Sequence, residues 1–198
     1  MAGDKKHDQD FIKFITWKDD FATMVELINH QHRNVLEFLN QWYNEVRGGL
    51  AVEDPAALMS RKFEYLNHFS LGHLRFESGM LRLLKDRYGF PRQEYQEHLR
   101  AHGRFIKELM IPLSQEVKLL GDSDTKTALQ NISKDSLRDV GKWWYQHIKA
   151  PEPGEEPGPD HRYRLFVESL PEEKKLALLN DLLILQDQSQ QEEPPEGG

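Results

Sequence analysis

The sequence predicts an all-α protein, an up-and-down four-helix bundle with an additional short C-terminal helix. Three observations predict it. Apolar residues recur at three- and four-residue intervals through four stretches, the spacing that gathers side chains on one face of a helix. The connections between these stretches are short and marked by glycine and proline, which favours antiparallel neighbours. Each stripe also carries histidine among its apolar members, so polar groups that are costly to bury unless paired are aimed at a common core.

Residues 1–10 are expected as a disordered lead-in, followed by the extended apolar segment FIKFITW. The first helix is expected over residues 19–47, with the stripe Val25, Ile28, His32, Val35, Leu39, Trp42 and Val46 and a stop at Gly48-Gly49. Pro55 suits the first turn of the second helix, whose stripe is Leu66, Phe69, His73, Phe76, Met80 and Leu83, ending before Gly89-Phe90-Pro91. The third starts near Arg92 with Tyr95, His98, His102, Phe105 and Leu109, and Pro112 is expected to kink or break it. Asp124 or Thr125 can cap the fourth, which carries Val140, Trp143 and His147. Residues 151–159, PEPGEEPGP, cannot be helical, with four prolines and two glycines in nine positions. Helical pattern resumes at Asp160 and lasts to about Glu168. Beyond it, Ser169 and Glu172 have capping-box spacing, and Leu176, Leu179, Leu182 and Leu183 form an apolar stripe. The expected organisation is thus a lead-in (1–10), a bundle domain (11–168) with an insertion at 151–159, and an amphipathic helix with a disordered acidic tail (169–198).

With 198 residues the chain suffices for one domain with a sizeable core. A charged fraction of 30% and a net charge of -7 argue against nucleic acid or an anionic membrane as partner. The absence of cysteine excludes disulfides, thiolate ligands and thiol nucleophiles. The first ten residues lack the apolar core of a signal peptide, and residues 176–185 are too short and too interrupted to span a bilayer. A cytoplasmic protein is expected, a monomer or weak homo-oligomer.

The chemistry lies in the histidines. His73 and Glu77 are four residues apart, as are His98 and His102, and that separation stacks two side chains about 5–6 Å apart on one helical face. A lone pair of this kind is more often surface decoration or a satisfied core group. Convergence from four helices, with His32 and His147 added, asks for a shared partner, and a metal is the simplest. Imidazole suits iron, zinc, copper or nickel, so residue type leaves the metal open.

Over roughly residues 14–166 the chain resembles the hemerythrin-like non-haem di-iron proteins, nearest to the bacterial hemerythrins. The resemblance rests on Ile15-Thr16-Trp17, on Ile28-Asn29-His30-Gln31-His32, and on His73-Leu-Arg-Phe-Glu77 with Met80 beyond. It continues through Tyr88-Gly89-Phe90-Pro91, His98-Leu-Arg-Ala-His102 and Trp143-Trp-Tyr-Gln-His147-Ile148. It implies two iron ions, oxo- or hydroxo-bridged. His98, His102 and His147 would bind one and His32 and His73 the other, with Glu77 and a second carboxylate bridging. The ion with two histidines would keep the open position where dioxygen attaches, between apolar walls.

Two departures from the family pattern stand out. The family's second bridging carboxylate lies five residues after the fourth-helix histidine, which here is Glu152, between Pro151 and Pro153. The family's Asp-x-x-Tyr signature reappears at Asp160-His-Arg-Tyr163, so Asp160 is preferred as the bridge, with 151–159 looped out; Glu152 or a water are the rivals. Asp160 also has the look of a helix N-cap, and both roles are compatible. The second departure is Trp144, where the family more often carries an aliphatic residue beside the dioxygen pocket; it can narrow that pocket or simply pack the bundle. His7, His30, His68 and His161 fall off the stripes and are not expected as ligands, although His161 lies next to the preferred bridge.

The resemblance implies reversible dioxygen binding for storage, delivery or sensing. Alternatives are a di-iron oxidoreductase acting on peroxide or nitric oxide, if the insertion loosens the second bridge, and an iron- or dioxygen-responsive module that docks through the helix near residues 171–186. Ferritin-like chemistry is disfavoured, because those bundles use Glu-x-x-His pairs and no histidine here has a glutamate three residues before it.

Overall fold

Four rods carry the fold, each built on the apolar stripe that the sequence displays. The computed structural model describes residues 16–47, 54–120, 126–151 and 154–191. The expectations for the lead-in, the Gly48-Gly49 stop, the cap at Asp124 or Thr125, Glu152 and the tail after residue 191 lie outside the described residues. Among those described, every regular element is helical.

The first rod is α1 (Glu26–Arg47) and the second is α2 (Pro55–Leu83), prolonged by a π-helical turn (Leu84–Tyr88). The third comprises α3 (Arg92–Arg104), a π-helical segment (Phe105–Met110) and α4 (Ile111–Leu120), and the fourth is α5 (Lys126–Ile148). Each of α1 and the third rod packs against both α2 and α5, closing a square with short connections. Two further helices follow, α6 (Pro159–Ser169), lying against α3 and α5, and α7 (Glu172–Gln191), lying against α2. No helix among the described residues is long and apolar enough to cross a membrane.

Local chemistry sets the boundaries. Asp54 caps α2 by accepting the Ala57 N–H at 3.0 Å, with Pro55 in the first turn. Gly89, at φ 86°, ends the second rod in the left-handed conformation that a side chain disfavours.

Three boundaries differ from the sequence-based expectation. Residues 19–21 form a single 3₁₀ turn and α1 begins only at Glu26. Thr23 and Asn29 divert the backbone between them: Thr23 N–H donates to Asn29 Oδ1 (2.6 Å), Asn29 Nδ2 to Thr23 O (2.9 Å), and Val25 N–H to Thr23 Oγ1 (3.1 Å). Pro112 does not break the third rod. The preceding π-helical segment widens the coil where the proline ring would press on the carbonyl four residues back, and the helix continues. The C-terminal helix is not short, with 20 residues. Of its expected stripe Leu182 alone faces inward, beside Leu178, both buried against α2, whereas Leu176, Leu179 and Leu183 are exposed. Leucines surround this helix, so periodicity alone does not select its inner face.

Burial divides into two apolar clusters. One gathers Val35, Leu39, Trp42, Leu66, Phe105, Val140 and Trp144. The other gathers Ile28, Phe76, Met80, Phe90, Tyr163 and Leu182, where α6 and α7 close the bundle. Along α1 and α2 the histidines fall between the two clusters.

Candidate metal centre

His32, His73, Glu77, His98, His102, His147 and Asp160 are all buried, none more than 5% exposed. The four rods supply the first six by helical spacing. His73 and Glu77 project one turn apart from α2, His98 and His102 one turn apart from α3, while α1 contributes His32 and α5 His147.

Glu77 Oε2 lies 3.1 Å from His102 Nε2, 3.2 Å from His98 Nε2, 3.4 Å from His73 Nε2 and 3.5 Å from His147 Nε2. Asp160 enters from α6. Its carboxylate oxygens stand 2.9 Å from His147 Nε2, 3.2 Å from His32 Nε2 and 3.6 Å from His98 Nε2. Two ligand groups emerge that share Glu77, one with His98, His102 and His147 and the other with His32 and His73. Asp160, like Glu77, touches histidines of both.

These atoms make a poor hydrogen-bonded cluster and a good ligand set. His32 Nε2, His73 Nε2, His147 Nε2, Glu77 Oε1 and both Asp160 oxygens are buried without an aligned hydrogen bond, which a folded protein rarely tolerates. Ligands at right angles around one ion, with bonds of about 2.1 Å, lie ~3 Å apart, the range of the contacts above. Two far nitrogens are held from outside. His73 Nδ1–H donates to Gln31 Oε1 (2.9 Å), and His102 Nδ1 meets Ser78 Oγ (3.2 Å), the kind of contact that fixes a ring and leaves Nε2 free for metal. The Trp143 indole stacks on His147, centroids 4.3 Å apart.

Electrostatics tell the same story. Burial holds His32 well below its ordinary value and His102 down to about 4, so both rings are neutral, as ligands must be. Burial raises Glu77, but His98, His102, His147 and His73 outweigh it and leave the carboxyl well below the usual range. Asp160 goes the other way, raised well above its ordinary value by burial and then by the charge on Glu77. The cage by itself accommodates one carboxylate charge; two cations would accommodate both.

The placement of Asp160 depends on residues that sequence reasoning passed over. It is not an N-cap: Gly158 occupies that position, Pro159 starts α6, and Asp160 points from the first turn into the bundle. Gly158 lies so close to the end of α5 that a Cβ there would meet Gln146 O at 2.7 Å, His147 O at 2.8 Å and Lys149 O at 3.0 Å. Arg162 then ties α6 to α3 through Glu94 (2.9 Å) and Glu97 (2.8 Å), and Lys149 pairs with Glu155. The only trace of this in the sequence is a glycine between two prolines, which reads as loop. Ser78 carried no signal beyond lying next to Glu77, and Gln31 stood only as a member of the Ile28–His32 motif, with no role of its own. Of the off-stripe histidines, His30 and His68 are exposed, and His161 is partly buried near Arg164, Glu168 and Asp20.

A helical bundle with a buried polyhistidine–carboxylate cluster defines a cation-binding protein. The Hemerythrin HHE cation binding domain family matches residues 23–152, and the chain belongs to it. It is 24% identical over 141 residues to a protein named bacteriohemerythrin from Pseudomonas aeruginosa, covering 71% of this chain and 78% of that one. A bacteriohemerythrin of Pseudomonas paraeruginosa matches with the same identity and coverage. No solved structure matches significantly.

Proposed function

We propose that the protein binds dioxygen reversibly at a non-haem di-iron centre. His98, His102 and His147 would hold one ion, His32 and His73 the other, and Glu77 and Asp160 would serve both. The observation that carries this reading is the asymmetry of the cluster: three imidazoles on one side, two on the other, and two carboxylates each touching both. The His32/His73 side, with fewer protein ligands, would leave room for a guest. A pair of ferrous ions held there would supply the reversible electron chemistry that dioxygen binding requires.

The side chains do the rest. Gln31 and Ser78 orient the His73 and His102 rings. The Trp144 indole packs against His73 and His32, with Phe69 and Phe105 packed against it in turn, an aromatic surface that would keep water out. Gly158 and Arg162 anchor the segment bearing Asp160, which favours binding over turnover of peroxide or nitric oxide at a loosened bridge. Optical spectra of the reduced, iron-loaded chain test the reading. Air should produce a visible band that bleaches on deoxygenation over repeated cycles. Immediate irreversible oxidation, or catalytic peroxide consumption above that of free iron, would contradict it.

A further inference from the structure

The Trp144 side chain is fully buried, and its indole nitrogen has no hydrogen-bond partner. An indole N–H only donates, and leaving it unsatisfied in the interior is costly. The rings around it are Phe69 (6.4 Å between centroids), Phe105 (5.8 Å), Trp143 (5.4 Å), His73 (5.1 Å) and His32 (6.1 Å). The first three offer no lone pair. The last two direct theirs towards the metal in the reading above, on which this inference rests. Ser70 Oγ, three residues before His73 on α2, is likewise buried without a partner. The Trp144 ring thus lies against the two histidines of the sparser side, His73 and His32, and carries a donor that no protein atom accepts.

We propose that Trp144 is a specificity-determining residue whose indole N–H donates a hydrogen bond to the small guest bound on the His32/His73 side. The guests favoured are those with a lone pair on the atom farthest from the metal, such as small anions and dioxygen. The indole is then a donor to the guest as well as a wall.

Azide, a small anion with lone pairs on its terminal nitrogen, is the probe. It is titrated into the oxidised, iron-loaded full-length chain and into W144F, which keeps an aromatic ring but loses the donor. Azide should bind about tenfold or more weakly to W144F, with iron content unchanged. In the unsubstituted protein, azide should shift the indole N–H band in ultraviolet resonance Raman spectra, and that shift should vanish in W144F. Equal or tighter azide binding by W144F would make Trp144 a steric wall only and overturn the proposal. So would an N–H band indifferent to azide, which would mean that water or nothing accepts the bond. Should W144F fail to fold, the Raman result on the unsubstituted protein decides alone. Two bound irons without these effects overturn this inference and leave the di-iron reading standing, whereas a folded chain holding fewer than two irons overturns both.

Discussion

Glu77 and Asp160 are two carboxylates in one buried cluster, equally hidden from solvent, yet the chain delivers them by opposite means. Glu77 sits mid-helix, one turn after His73, within hydrogen-bond reach of two imidazoles. Asp160 arrives after a proline-rich detour and depends on Gly158 fitting against the carbonyls at the end of α5. Their charges differ accordingly, Glu77 held ionised by the imidazoles and Asp160 driven towards its neutral form. The comparison teaches that the first carboxylate belongs to the fold, whereas the second is tolerated until a cation arrives.

The largest effect is expected on removing the first. Glu77→Ala takes the shared acceptor from four imidazoles and should abolish retention of both ions, lowering metal-free stability by about 1–3 kcal/mol, as read by metal analysis and urea unfolding. Asp160→Ala should break the symmetry of that comparison. Metal content should fall, while the metal-free protein unfolds at an unchanged or higher urea midpoint, because a carboxyl that burial disfavours has been deleted. A lower midpoint for metal-free Asp160→Ala than for metal-free Glu77→Ala would refute the contrast.

Gly158→Ala comes next. A methyl group forced to within 3 Å of three carbonyl oxygens should cost about 1–3 kcal/mol and reproduce the metal loss of Asp160→Ala, although no proposed ligand has changed. Normal metal content would show that Asp160 needs no such anchoring.

Acidification sharpens the electrostatic half of the comparison. His102, lowered from 6.5 to about 4, binds fewer protons folded than unfolded between those values, so metal-free stability should decline as pH falls from about 6.5 to 4, by about 3 kcal/mol from this residue. His32 and Glu77, both lowered, act in the same direction, Glu77 below its unfolded value of 4.5. Asp160, raised, opposes them: its contribution is full below its unfolded value of 3.8 and is lost as pH rises through the folded one. Urea midpoints between pH 4 and 7 would measure the sum, and a flat profile would contradict it. The smallest effect is expected for Gln31→Ala, which frees the far nitrogen of His73 and should weaken metal binding about 10- to 100-fold with little change in fold, as measured by competition with a chelator.

The same contrast explains what the sequence discloses. His32, His73, Glu77, His98, His102 and His147 recur with the 3.6-residue period of their helices, and all six are buried in one cluster. Asp160 obeys no such period. Only the Asp-x-x-Tyr resemblance pointed to it, and what places it is a backbone contact by Gly158 that no side-chain pattern encodes. The late start of α1 and the passage of the third rod through Pro112 escaped for a related reason. Thr23 and Asn29 replace helical hydrogen bonds with side-chain ones, and a π-helical segment absorbs the proline. In α7, leucines on all sides leave the inward face to be chosen by the bundle it meets.

Anomalous-scattering crystallography at the iron edge, on chain loaded under reducing and iron-replete conditions, tests the central claim most directly. The account predicts two peaks per chain, one among His98, His102 and His147 and one between His32 and His73, with Glu77 and Asp160 reaching both. A folded chain with a single peak, or with none in this cluster, would contradict it.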